Sequence, residues 1–449
     1  MRKKAILAFV LAAVLLLSSC ALVEKDLAVD NATVIIQLGD ETISKIQVNN
    51  ALETELYYQA QYYSMLYGTS IDTTDPEIRA NLLDSTLDNL AQQLVLRQKA
   101  RELGFETFTA EEDTAIRETA QSNMDSDKEA VKAEFFADTA LEGETLEAGI
   151  SQKMTELGLL FDQYYESAKA EAAQEKLRNS VIASVTVTDE EIQTEYDGRV
   201  AQAKTTYESN LSAYGSSVNS NSDVFYAPAG YRYVKHILRK FSNENTTALT
   251  DLQTKIDGKT EEIASIDASI SGLPEGTAQD DPERVKLTAD KAALEQEKVD
   301  LQVQYDKTLE DAYTALQPTV DEVLTKLSAG EDFDALMETY GEDPGMKNSP
   351  QKENGYAVCQ DFASFDPAFT GAAMALAAVG DVSPAVRGQS GIHILKYASD
   401  IAEGPVALDA VKETVSAEIL STKQNDAYSA QVTAWVEQSG VKIFKDRMN

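Results

Sequence analysis

Apolar positions along the chain change their spacing several times. Ala5 to Leu17 is an unbroken apolar run of 13 residues behind the basic triplet Arg2-Lys3-Lys4. That run is too short to cross a ~30 Å hydrocarbon core as a helix, which takes about 20 residues. A β-like start follows over 32–48, with Val34, Ile35, Ile36 and Leu38 ahead of the Gly39-Asp40 turn. The spacing then becomes helical and predicts helices over about 49–67, 77–103, 110–124, 128–137, 144–183 and 188–213. In the second of these, Leu82, Leu83, Leu87, Leu90, Leu94 and Val95 share one face, and Gly104 follows as a C′ residue. Thr188-Asp189-Glu190-Glu191 reads as a capping box opening the last. The Ser/Asn-rich run from Ser216 to Asp223 reads as a linker.

Beyond the linker the pattern turns to period two. Val234, His236 and Leu238 share one face of a strand over Tyr231–Phe241, and Tyr233, Lys235 and Ile237 the other. A heptad then begins: Leu249, Leu252, Ile256, Lys259, Ile263, Ile266, Ile270 and Leu273 alternate three- and four-residue steps. After a breaker from Gly272 to Pro282, Leu287, Leu294 and Leu301 repeat every seven residues, which predicts an antiparallel helical hairpin over 243–312. Such a hairpin is either a solvated arm with a narrow apolar seam or an arm that contacts clients or partners. A new helix is expected from Pro318, another to Tyr340, a loop over Gly341–Gly355, a helix over about Pro367–Leu376, a closing strand Gly391–Tyr397 and a last helix over about Leu408–Gln438.

Composition narrows the chemistry. The 449 residues carry 39 basic and 75 acidic side chains, a net charge of −36. Such a field repels phosphate and argues against nucleic acid and anionic membrane surfaces as partners. Two cysteines and two histidines rule out a disulfide scaffold and a Cys₄ zinc site, and nearly exclude multi-His metal chemistry. HExxH, the Gly-x-Ser-x-Gly elbow and a phosphate-binding glycine loop are all absent. The leader has the layout of a signal peptide. Its end, Leu17-Ser18-Ser19-Cys20, resembles a bacterial lipobox, which implies diacylglyceryl attachment at Cys20, cleavage after residue 19 and a membrane tether over 20–31. Removing the leader's three basic residues takes the charge to −39, and the mature chain then offers no intramolecular disulfide.

Both histidines lie on strand-like segments that bracket one α+β unit, and there the chain resembles the parvulin family of peptidyl-prolyl isomerases. The motifs are Val234-Lys235-His236-Ile237-Leu238, Leu327 to Phe333, Tyr340-Gly341-Glu342-Asp343-Pro344, Phe365-Asp366-Pro367-Ala368-Phe369 with Met374-Ala375-Leu376, Val379 to Ser383, and Ser390-Gly391-Ile392-His393-Ile394. They cover about 230–242 and 313–398. The hairpin would be an insertion after the first strand, and the family's Gly-Gly-Asp-Leu-Gly stretch is eroded to Glu353-Asn354-Gly355-Tyr356. The resemblance implies His236 and His393 as paired histidines, Asp343 beside the bond that twists, Ser390 near the pair, and Phe365, Phe369 and Met374 around the proline ring. It calls for no metal and no cofactor.

The surrounding layout looks like that of PrsA-type foldase lipoproteins and their SurA-like relatives. The expected fold class is α+β: a mostly helical chaperone-like lobe, from 32–215 and the C-terminal helix within 401–449, plus a parvulin-like α/β domain over 230–400 carrying the inserted hairpin. Residues 216–229 would link them. The implied activity is cis–trans isomerisation of X–Pro bonds on unfolded secreted polypeptides, at the outer face of a bacterial cell membrane. The alternatives are a non-catalytic holdase with a degenerate parvulin domain, and an envelope protein that uses the hairpin for assembly; oligomeric state is left open. The Tyr57, Tyr58, Tyr62, Tyr63 and Tyr67 row has helical spacing and suits either lobe packing or a client-binding surface.

Overall fold

A computed structural model describes residues 27–448 apart from 138, 140 and 361. The leader and Cys20 lie outside the described residues. Two compact units are present: residues up to Val187 together with Glu418 onward, and Thr188–Ala417.

The first unit opens with α1 (Leu27–Asn31) and the hairpin of β1 (Val34–Leu38) and β2 (Glu41–Ser44). Helices α2 (Lys45–Tyr67), α3 (Pro76–Glu102), α4 (Ala110–Phe135), α5 (Gly143–Glu156) and α6 (Phe161–Ile182) follow. Gly104 takes φ 77° after α3, and Phe105 N–H reaches back to the Ala100 carbonyl at 2.8 Å, so the expected C′ glycine closes the helix. Helices expected over 110–124 and 128–137 are one continuous helix, because nothing between them breaks hydrogen bonding. The helix expected over 144–183 is two, divided where Gly158 adopts φ 74° and Leu159 N–H bonds the Met154 carbonyl at 2.8 Å. Of the leucine face of α3, Leu87, Leu94 and Val95 are buried against Ile35, Ile36 and Val48. The tyrosines of α2 do not pack inward: Tyr58 is 63% and Tyr67 65% exposed.

The second unit begins at the capping box. Thr188 Oγ1 accepts from Glu191 N–H at 3.2 Å, and Glu191 Oε2 accepts from Thr188 N–H at 2.8 Å. Helix α7 (Asp189–Ser209) and α8 (Leu211–Asn219) lead to β3 (Tyr226–Ala227). Of residues 216–229, expected as a linker, Ser220 to Asp223 are exposed, while the stretches on either side are held to the unit. Asn219 clamps Ala357 through both its backbone groups at 2.8 and 2.9 Å, and Tyr226 is buried. The local polarity that suggested a linker is satisfied by neighbouring backbone.

Strand β4 (Arg232–Lys240) precedes the hairpin of α9 (Asn243–Ser271) and α10 (Pro282–Ser328). Lys291–Asp267 at 2.6 Å and Lys259–Glu297 at 2.9 Å fix its antiparallel register. Helix α10 runs 47 residues straight through Pro318, where a new helix was expected. Proline removes one N–H and crowds the preceding turn. Buried Ala312 and Tyr313 before it and Val320 and Val323 after it anchor both sides to one core, which carries the helix past the defect.

After α11 (Phe333–Tyr340) come α12 (Gln351–Asn354), β5 (Tyr356–Val358), α13 (Pro367–Ala375), β6 (Val386–Gly388), β7 (Gly391–Asp400) and β8 (Gly404–Pro405). An antiparallel sheet of order β5-β4-β7-β6 forms the centre. The alternation read on β4 sorts its faces. Ile237 packs with α10 and α11, while Val234 packs with Phe369, Ala373 and Leu395 on the α13 side. Helix α14 (Leu408–Ser439) and β9 (Lys442–Ile443) end the chain, and β9 pairs with β1 in the first unit. Among the described residues no helix is long and apolar enough to cross a membrane.

Candidate active site

Strands β4 and β7 pair along their full length, with His236 opposite Leu395 and Leu238 opposite His393. This one-step diagonal puts the two imidazoles on the same sheet face, with ring centroids 5.2 Å apart. Their Nδ1 atoms are 3.1 Å apart, and His236 Nε2 lies 2.8 Å from Asp343 Oδ2. Asp343 sits just after α11, in a loop held to the β4 edge where Glu342 N–H donates to the Leu238 carbonyl at 2.9 Å. Its carboxylate also accepts from Tyr356 Oη at 2.9 Å and from Gly345 N–H at 3.2 Å.

The proton pattern follows from these partners. His236 Nε2 donates to the carboxylate, and the Nδ1–Nδ1 contact takes a single proton between the two rings, donated by one and accepted by the other. Burial, joined by positive charge at His236, pushes His393 down to about 4, although Asp366 and Asp343 oppose this. Burial alone would raise Asp343. The His236 hydrogen bond and charge, the Tyr356 hydroxyl and the Gly345 amide outweigh it and hold the carboxyl at about 2. Burial and the neighbouring carboxylate raise the Tyr356 phenol. At neutral pH the site therefore holds an anionic Asp343 and a neutral His393.

Over this network lies a pocket of about 200 Å³ lined by Phe365, Phe369 and Tyr356 together with the histidines, Leu238, Asp343 and Asp366. Phe369 stands edge-on to both His236 and His393, at 5.1 and 5.3 Å between centroids. Phe365 stands edge-on to Phe369 at 5.4 Å. Asp366 positions the last two: its Oδ1 caps α13 through Ala368 N–H at 2.8 Å. An apolar cup of this kind, floored by a saturated hydrogen-bond chain, can take a small aliphatic ring and withhold water from what is attached to it.

Of the seven residues expected here, His236, His393, Asp343, Phe365 and Phe369 converge. Met374 and Ser390 do not line the pocket. Met374 lies five positions past Phe369 on α13 and is half-buried against the cluster that also holds Phe369, Leu395 and Tyr397. Ser390 lies in the turn between β6 and β7, ahead of the strand that carries His393. It is exposed and its carbonyl accepts from Phe241 N–H at 3.0 Å.

Sequence reasoning missed three contributors. Tyr356 stood at the point read as erosion. The glycine before it is indispensable there, since Gly355 holds φ 88° with space for a Cβ only 2.6 Å from the Val234 carbonyl oxygen. Asp366 stood in the sequence only inside the Phe365–Phe369 motif, with no role of its own. Gly388 carried no signal: a Cβ there would lie 2.7 Å from both His393 Nε2 and Asp366 Oδ2, so the close approach of β6 depends on its absence.

The comparisons with known proteins agree with this geometry. Residues 301–399 match the family model described as Rotamase, PPIC-type PPIASE domain. The window leaves out β4 and His236, because the hairpin separates the first strand from the rest in sequence. A foldase protein PrsA of Clostridium botulinum (strain 657 / Type Ba4) is 34% identical over 127 residues, which is 28% of this chain and 37% of that protein. The chain thus spans little more than a third of the length of such relatives. A foldase protein PrsA of Geobacillus sp. (strain WCH70) is 30% identical over 260 residues, covering 51% of this chain and 83% of that one. Among solved structures, foldase protein PrsA from Streptococcus pneumoniae aligns over 93% of this chain and 97% of its own at 13% identity. Its TM-score is 0.24, too low to support an inference.

The second unit therefore carries a parvulin-type, PPIC-class peptidyl-prolyl isomerase domain. With four-fifths of the Geobacillus relative aligned, the chain belongs to the PrsA foldase family.

Proposed function

We propose that this protein is an extracytoplasmic foldase that catalyses cis–trans isomerisation of X–Pro bonds in unfolded secreted polypeptides. The observation that carries the reading is the joining of the His393–His236–Asp343 chain to the Phe365–Phe369–Tyr356 cup. Rotation about an X–Pro bond meets a barrier of ~18–20 kcal/mol because amide resonance is lost on twisting, although the two isomers differ by only ~0.5–1 kcal/mol. Lowering that barrier needs no nucleophile. The cup would hold the pyrrolidine ring while the preceding carbonyl rotates. A dry, preorganised surround favours the twisted amide, whose charge separation is smaller than that of the planar one. Tyr356 and His236 would keep Asp343 fixed, so the polar wall does not reorganise as the bond turns.

Anchoring at the membrane through a diacylglyceryl group on Cys20 is part of the same proposal. It rests on the basic triplet, the apolar run and Leu17-Ser18-Ser19-Cys20, since two acyl chains hold far more firmly than one. Intact mass of membrane-extracted protein checks it, and a mass without the adduct removes it.

The activity is tested by refolding of a proline-limited substrate and by cis–trans relaxation of tetrapeptides that differ in the residue before proline. Catalytic amounts of the wild type should accelerate both. The His236→Ala, Asp343→Ala double variant should fall at least tenfold. Equal, uncatalysed rates for wild type and variant would refute the enzymatic reading and leave a binding fold.

A further inference from the structure

The inserted hairpin does more than project from the domain. Where its base meets the β6–β7 turn there is a groove of about 580 Å³ whose floor is Phe241, Leu249, Leu309 and Tyr313. One wall is β6 with the turn to Ser390, and the other is α9, where Thr246, Thr250 and Thr254 recur every four residues. The Thr250 and Thr254 hydroxyls donate to helix carbonyls four residues back, at 2.9 Å each, which leaves their oxygens as acceptors toward the groove. Arg387 brings no free charge. Glu310 holds it by two hydrogen bonds of 2.7 and 2.9 Å, and its guanidinium lies 4.7 Å from the Tyr313 ring centroid.

This groove adjoins the candidate active site. Between them lies a second depression of about 530 Å³, which shares Phe365 and Asp366 with the proline cup and Asp366 and Gln389 with the hairpin groove. Thr370 lines that middle depression, and its buried Oγ1 has no hydrogen-bond partner among the described residues. The long helix is also tied to the site, since Tyr313 Oη donates to the carbonyl of Gly388, the residue packed against His393. Helix α9 and the first part of α10 lie outside the matched PPIase window.

We infer that the cup, the middle depression and the hairpin-base groove form one trough, and that the inserted hairpin supplies an extended subsite for the polypeptide flanking the isomerised proline. The occupant is the substrate chain itself. The trough starts at the proline cup, the Thr250 and Thr254 oxygens on its wall can accept from peptide N–H groups, and the apolar floor of Phe241, Leu249 and Leu309 suits an uncharged side chain. An extended chain advances about 3.3–3.6 Å per residue, so four residues span roughly 13 Å and ten roughly 33 Å. A ten-residue chain centred on the X–Pro pair therefore reaches farther along the trough than a tetrapeptide does. The inference rests on the isomerase reading above.

The test measures kcat/KM of the full-length protein on a tetrapeptide and on a ten-residue uncharged peptide centred on the same X–Pro pair. Seating one apolar side chain in the groove should favour the longer peptide by about tenfold. In a Thr250→Trp, Gln253→Trp variant, which fills the groove from exposed positions, that ratio should fall toward one. Val299→Trp, on the exposed far part of the hairpin, should keep it. A wild-type ratio near one, or a ratio that the double variant leaves intact, overturns the subsite. If neither peptide is turned over, the isomerase reading fails by itself. The groove is then judged by fluorescence anisotropy of the labelled ten-residue peptide. About tenfold weaker binding to the double variant sustains it, and equal binding overturns it.

Discussion

Protonation of His393 should destabilise the second unit well above the pH at which the carboxylates titrate. The folded-state value is about 4 against 6.5 for the free side chain, with burial the largest cause. A group depressed on folding contributes stability that is complete above its unfolded value and is lost as pH falls toward its folded one. For His393 the loss therefore runs from about pH 6.5 to pH 4. Between pH 7.5 and 4.5 the linkage relation gives a loss of about 2–3 kcal/mol from this residue, on the order of a quarter of a typical domain's stability. The imidazole is 7% exposed and faces His236, so solvent screening removes little of this. The perturbation is His393→Gln, which keeps a hydrogen-bonding side chain and removes the titration. Wild type and variant are equilibrated in urea at both pH values, and unfolding is read by a brief hydrogen-exchange pulse on peptides covering β7. The wild type should lose about 2–3 kcal/mol more than the variant on acidification. Losses equal within about 0.5 kcal/mol would show that the buried imidazole is not held neutral, and the tautomer chain described for the site would fall with it.

Three further outcomes follow from the same packing. Tyr356→Phe removes one donor to the Asp343 carboxylate, a hydrogen bond to a charged group worth about 1.5–3 kcal/mol, so isomerase kcat/KM should drop by about tenfold or more with the cup intact. Gly388→Ala forces a Cβ against His393 and Asp366, and overpacking of this kind costs about 1–3 kcal/mol. Urea midpoints of β7 exchange should fall accordingly, together with activity. Pro318→Ala restores a backbone donor at an exposed position of α10 and should stabilise the second unit by about 1–3 kcal/mol in the same assay.

Much of the secondary structure was legible because it depends on local spacing. The leucine face of α3, the Thr188–Glu191 capping box and the antiparallel hairpin each follow from residues within one or two turns of one another. The two histidines were legible as strand residues for the same reason, since period two assigns a face without reference to any partner. Where the reading erred locally, a distant contact had overruled a local signal. Pro318 should end a helix, but buried residues on both sides of it share one core. The polar run after Ser216 should be a linker, but Asn219 finds the backbone of Ala357, more than a hundred residues away.

The site itself belongs mostly to tertiary structure. The family resemblance named His236, His393, Asp343, Phe365 and Phe369 together, through motifs scattered over the chain. Nothing local could select Tyr356 as the second donor to Asp343, or Gly388 as the gap that admits His393, because each acts through a neighbour brought in by sheet pairing. The same limit explains Ser390 and Met374. Closeness in sequence to a functional residue does not put a side chain beside it when one of the two sits in the turn before the strand, or when five positions separate them on a helix that repeats every 3.6. Sequence alone determined the acidity, the helical hairpin and the histidine-bearing strands, all of which are sums or short-range periodicities. Only the tertiary structure decided that a saturated imidazole–carboxylate chain floors an apolar cup, and that the base of the inserted hairpin opens beside it. Those are contacts between segments up to 157 residues apart, such as His236 and His393, and they exist only once the sheet has closed.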